Sequence, residues 1–71
     1  MNTEELYKNI GRKIKNERER QGFSQEELAD KSGIPLSHLV CHEMGIKREM
    51  FAWELFAICK ALQVDIVEFF E

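Results

Sequence analysis

Apolar residues recur along this chain at helical rather than strand intervals. Leu6, Ile10 and Ile14 fall four apart, with Tyr7 beside the first, and mostly polar and charged residues fill the positions between. That spacing gathers them on one face and predicts a helix from about Thr3 to Gln21. Asn2 or Thr3 can cap its start, and Glu4 and Glu5 complement its positive end; Gly22 ends it. Further on, Ala52, Leu55, Phe56, Cys59 and Leu62 give the inner face of a helix that starts at Met50 or Phe51 and runs to about Leu62. Asp65 can cap a last short helix, with Glu68 three residues on in the spacing of a capping box.

Between these lies Ser24 to Gly45, SQEELADKSGIPLSHLVCHEMG, the stretch that organises the chain. The Ser24 hydroxyl can accept an orphan backbone N–H, and Glu27 can reach back to the Ser24 N–H. A helix from about Gln25 to Lys31 follows, with Leu28 and Ala29 inward. Gly33 falls where that helix must stop, and glycine alone takes the left-handed exit without strain. Pro35 suits the first turn of the next helix, from about Leu36 to His42, which Leu39 anchors. Gly45 lies just past its end. Helix, glycine turn, helix is the layout of a reader of DNA whose second helix enters the major groove.

Together the elements predict an all-α bundle of about five short helices in one domain, residues 1–71, with the helix-turn-helix at about 24–45. A hydrophobic share of 44% with a single proline fits a folded helical chain rather than disorder. The apolar runs are too short to span a bilayer, so no membrane role is expected. MNTEEL lacks the features of an export signal, so Cys41 and Cys59 are expected as reduced thiols in a cytoplasmic protein.

Charge complicates the picture. The net charge is −3, unfavourable for a DNA binder, but it is unevenly spread. Six basic side chains face four acidic ones through Gln21, whereas Lys60 stands alone against four acids from Phe51 onward. A basic face with an acidic opposite end is compatible with modest, salt-sensitive binding to a polyanion.

The residues quoted above resemble the phage-repressor class of helix-turn-helix domain, also called the Cro or XRE type. The resemblance rests on Gly22, Ser24-Gln25-Glu26-Glu27-Leu28-Ala29, Gly33-Ile34, Leu39 and Glu43-x-Gly45. It extends outward to Ile10-Gly11-Arg12-Lys13-Ile14-Lys15, and to Ala61-Leu62-Gln63-Val64-Asp65 with Glu68-Phe69-Phe70, and so covers nearly the whole chain. It implies a lambda-repressor-like fold and a transcriptional regulator, repressor or controller, that binds double-stranded DNA as a homodimer on a two-fold operator. It implies a structural ion pair between Arg18 and Glu43. It implies phosphate contacts from Gln25, at a helix start whose free N–H groups suit an anion, and from Lys47 and Arg48 in the loop after Gly45. It places Leu36, Ser37, His38 and Cys41 at the positions that touch base edges.

Here the chain departs from the family's habit. No amide or arginine occupies those four positions, Val40 replaces a small hydroxyl residue, and His42 stands where an apolar residue is usual. The alternative is therefore a protein-interaction module or antitoxin-type partner that keeps the fold with little sequence reading, its partner a toxin or polymerase. No cofactor, metal or small-molecule substrate is implied. His38, His42 and Cys41 share one helical face, but zinc needs further ligands, and the sequence offers only Glu43 or a symmetry mate. No enzyme is expected: there is no paired nucleophile and base, carboxylate dyad or phosphate loop.

Two apolar features remain. Phe51 and Trp53 lie off the assigned inner face, either as an interface or because the register is shifted by one residue. Val64, Ile66, Val67, Phe69 and Phe70 crowd seven positions, more than one short helix can turn inward. Ile66, Val67, Phe69 and Phe70 are therefore expected to form the dimer interface.

Overall fold

The structure, a computed structural model, describes residues 2–46 and 52–70. Among them run four α-helices: α1 Thr3–Arg20, α2 Gln25–Ser32, α3 Leu36–Met44 and α4 Ala52–Leu62. A closing 3-10 helix spans Ile66–Phe70. All regular structure among these residues is helical, as the periodicity predicts.

The helix starts follow the local chemistry. Asn2 Oδ1 accepts from Glu5 N–H at 2.9 Å and caps α1. Ser24 and Glu27 close a reciprocal capping box at α2, with bonds of 3.0 and 2.8 Å. Pro35 takes the cap position of α3 in an extended conformation, just outside the helix, where its missing N–H costs nothing. At the other end of α2, Gly33 adopts φ 76°, the left-handed exit that turns the chain into α3. α4 makes the same kind of exit without glycine. Gln63 sits at φ 58°, while Val64 N–H closes back on Cys59 C=O at 3.0 Å.

α1 lies across α3 and the 3-10 helix, and α2 packs against α3 and α4. Ile14, Leu28, Leu39, Ile58 and Leu62 are completely enclosed at the centre, one or two from each α-helix. Burying each is worth on the order of 2 kcal/mol. Two long polar side chains tie the ends of the bundle. Gln21 Nε2 donates to Leu62 C=O at 2.7 Å, and Lys13 Nζ donates to Glu68 C=O at 3.2 Å.

The face of α4 differs from the expected one. Leu55, Cys59 and Leu62 are buried as predicted, but Ile58 joins them, while Ala52 and Phe56 are exposed. Ile58 completes the i, i+3, i+4, i+7 stripe of Leu55, Ile58, Cys59 and Leu62, and Phe56 is one residue, about 100°, off it. Of the two readings left open for Trp53, the structure places it outside the core, 58% exposed; Phe51 lies outside the described residues. Glu54 is also enclosed, for a reason that appears only at the site.

The closing segment is a 3-10 helix in which Asp65 Oδ1 accepts from Val67 N–H at 3.0 Å. Phe69 is buried in the chain's own core, with Ile66 and Val64 packed against it. Val67 and Phe70 point out. The crowded apolar segment is thus divided, and Phe69 does not contribute an exposed side chain to a dimer surface.

Candidate nucleic-acid interface

Three devices hold α3 in place. The first is a close backbone approach. A Cβ added at Gly11 on α1 would lie 2.1 Å from the His42 carbonyl oxygen and 3.0 Å from that of Glu43. Only a residue without a side chain lets the two helices meet there.

The second is a charged cluster at the end of α3. Arg18 Nε donates to Glu43 Oε2 at 2.7 Å and Nη2 to Glu43 Oε1 at 3.0 Å, a two-pronged pairing. Arg18 Nη1 donates to Phe23 C=O at 2.7 Å, so one guanidinium spans α1, the turn after it and α3. Both side chains are buried, Glu43 with 2% exposure. The hydrogen bond to Glu43 raises the Arg18 pKa above its ordinary value, against the opposing effect of burial. Gln25 Nε2 adds a bond to Glu43 Oε1 at 3.1 Å, which braces the start of α2 against the end of α3.

The third device was not legible beforehand. His38 Nδ1 lies 2.7 Å from Glu54 Oε2, and His42 Nε2 lies 2.7 Å from Glu54 Oε1. One carboxylate on α4 thus bridges two imidazoles one turn apart on α3. Glu54 and His42 are 1% and 4% exposed. Burial pushes the Glu54 carboxyl up, but the hydrogen bonds from His38 and His42 outweigh it and hold the group below its ordinary value near 4.5. A hint existed in the sequence: His42 interrupts an apolar position of α3, and Glu54 adjoins the buried stripe of α4. Each alone reads as an irregularity; together they are a satisfied polar pair.

That bridge implies acid sensitivity. The unfolded Glu54 carboxylate takes up its proton at a higher pH than the folded one. Its contribution is therefore complete above about pH 4.5 and lost as pH falls through the lower folded value. Urea melts across this range should show stability declining in acid, with a flatter decline in Glu54→Gln. Equal slopes in the two proteins would mean that Glu54 is not a linked group.

The remaining candidate residues are placed as follows. Leu36 and Ser37 are exposed on the first turn of α3, and His38 and Cys41 are half-buried beside them. Gln25 is half-buried at the start of α2 with its amide on Glu43. Lys47 and Arg48 lie outside the described residues. At the turn itself an open groove is lined by Glu26, Asp30, Pro35 and Leu36, so carboxylates border the exposed end of α3. Cys59 is buried, and its thiol is pushed up to about 11 chiefly by that burial. Among the described residues no group of three or more His, Cys, Asp or Glu side chains could hold a metal ion, and no helix is long and apolar enough to cross a membrane.

A glycine-turned helix pair with the second helix braced at its far end and exposed at its near end defines a helix-turn-helix protein. Residues 14–40 match the family model described as helix-turn-helix, in keeping with the resemblance to the Cro/XRE type. Three solved structures are similar over most of their length. The restriction-modification controller protein C.AhdI from Aeromonas hydrophila is 27% identical, with a TM-score of 0.83, covering 89% of this chain and 94% of its own. SinR, the master regulator for biofilm formation, solved in complex with DNA, is 29% identical, with a TM-score of 0.81 and coverage of 87% and 98%. The clp gene regulator ClgR from C. glutamicum is 25% identical, with a TM-score of 0.81 and coverage of 92% and 83%. No curated protein sequence matches the chain.

Proposed function

We propose that this chain is a DNA-binding transcriptional regulator that acts as one domain and inserts α3 into the major groove. The observation that carries this reading is the asymmetry of α3. Its C-terminal half is clamped by Arg18, Glu43 and Glu54, while Leu36 and Ser37 at its N-terminal turn face outward. A recognition helix needs that combination, because base edges are read only by side chains held at a fixed angle and free of the core. The likeness to C.AhdI, SinR and ClgR supports it.

In this reading Leu36 meets a thymine methyl, and Ser37, His38 and Cys41 face base edges beside it. Gln25 at the start of α2, with Lys47 and Arg48 beyond α3, holds phosphates. The Glu26 and Asp30 carboxylates keep phosphates away from the turn, so affinity depends on few cations and is modest, with a salt slope set by those few contacts.

The test is an electrophoretic shift against DNA from upstream of the protein's own gene, at several salt concentrations. The wild type should retard it, and Lys47→Ala/Arg48→Ala should bind more weakly at all sequences, with the salt slope flattened by about 2. An unaltered slope would remove the loop from the phosphate contacts. No retardation by the wild type at low salt would favour the protein-interaction module instead. The observation on that side is the exposed pair Trp53 and Phe56 on α4, flanking half-buried Ala57 and beside Lys60.

The assembly proposed is a homodimer on a two-fold operator, formed where Val67 and Phe70 expose apolar surface, each by more than half. Ile66 and Phe69 support that surface from beneath. Sedimentation equilibrium should give a dimer for the wild type and a monomer for Phe70→Glu. A wild type that stays monomeric at tens of micromolar, or a dimer indifferent to the new charge, rules this interface out.

A further inference from the structure

Glu54 does more than brace α3. An ionised carboxylate can only accept hydrogen bonds, so a ring nitrogen bonded to it must carry the proton. Both Glu54 oxygens are engaged, Oε2 by His38 Nδ1 and Oε1 by His42 Nε2, each at 2.7 Å. His42, enclosed beneath α4, occupies the inner oxygen and keeps the carboxylate from turning. In its neutral form His38 is therefore held with its proton on Nδ1. Its Nε2 is left as an acceptor, on the opposite side of the ring from the buried carboxylate.

The His38 side chain is 37% exposed, next to Leu36 and Ser37, with its Nδ1 edge turned to Glu54. In the major groove the only base-edge donors are the amino groups of cytosine and adenine; guanine offers two acceptors, and thymine one acceptor and a methyl. We propose that Glu54 and His42 set the hydrogen-bonding sense of His38, making it a reader of amino-bearing bases, cytosine or adenine, at one position of each half-site. Glu54 and His42 are positioning residues; His38 is the specificity-determining one. This rests on the regulator reading above.

Two measurements test it. In the wild-type chain above neutral pH, two-bond nitrogen–proton correlation spectra should place the His38 proton on Nδ1 and the His42 proton on Nε2. A His38 proton on Nε2 overturns the inference, whatever any variant does. Selection from a pool of randomised duplexes should then enrich cytosine or adenine over guanine or thymine at one position. The enrichment should be about fivefold, the size of one neutral hydrogen bond. His38→Ala should abolish that preference while leaving phosphate-driven binding. Glu54→Ala should do the same, because the ring is then free to take either proton position. A preference unmoved by either substitution, or bound DNA with no such preference, overturns this inference alone. If the wild type retains no DNA from the pool, the regulator reading fails and takes this one with it.

Discussion

Glu43→Ala should cost on the order of 3–5 kcal/mol in urea melts. Removing the carboxylate leaves the Arg18 guanidinium buried, its charge answered by the Phe23 carbonyl at 2.7 Å and the more distant, exposed Glu19 carboxylate at 3.9 Å, and strips Gln25 of its acceptor. A chain of this length holds only about 4–10 kcal/mol in all, so the variant stands near the limit of folding. The origin of the loss is a stranded charge, not the intrinsic worth of the pair. Replacing both partners by apolar residues, Arg18→Met with Glu43→Leu, should therefore recover most of it. A double-mutant cycle built from the alanine variants isolates the coupling. Additive losses would show that the residues act independently, and a single loss under about 1 kcal/mol would assign the pair to the surface class.

Gly11→Ala should be as damaging, although by propensity alone it ought to help. Alanine in a helix interior is favoured over glycine by about 1 kcal/mol. Against that, the new methyl would lie 2.1 Å from the His42 carbonyl oxygen, and its obstacle is backbone that cannot rotate aside. α1 and α3 must separate, loosening Ile10 and Ile14 against Leu39 and pulling His42 away from Glu54. A net loss of about 3 kcal/mol or more is expected, with Gly11→Val unfolded. Thermal melts followed by circular dichroism decide it. A variant at least as stable as the wild type would mean that the helices are not in backbone contact at this point.

These two positions differ in how they could be known beforehand. Arg18 and Glu43 are visible in the sequence because charged residues at those places match a recurrent pattern. Gly11 falls within the stretch that resembles the family's first helix, but by its own chemistry it is a mild defect in a good helix. Its purpose is a distance between two helices, and no local property encodes that. Glu54 is a stronger case. On α4 it looks like a lone solvated acid, and His42 looks like a misplaced polar residue. Folding brings the two misfits together, and each satisfies the other. Helical spacing alone permits Phe56 on the inner face, but Ile58, at the right angle from Leu55 and Leu62, holds that place. Phe69 and Phe70 are chemically identical neighbours, and only the turn of the 3-10 helix decides which is core and which is surface.

The elements and their order are written in the local sequence. Caps, glycine exits and helical periodicity are short-range, set by backbone hydrogen bonds within four residues, and so are written locally at Asn2, Ser24, Glu27 and Gly33. Leu39 is legible there as the anchor of α3, and the family resemblance places Leu36 and Ser37 on its outer side. The tertiary structure alone decided which polar residues are buried, which helix faces touch, and that Glu54 fixes His38. Those outcomes depend on pairings between residues far apart in the chain, where a charge or an imidazole is tolerable only if a particular partner arrives at hydrogen-bond distance.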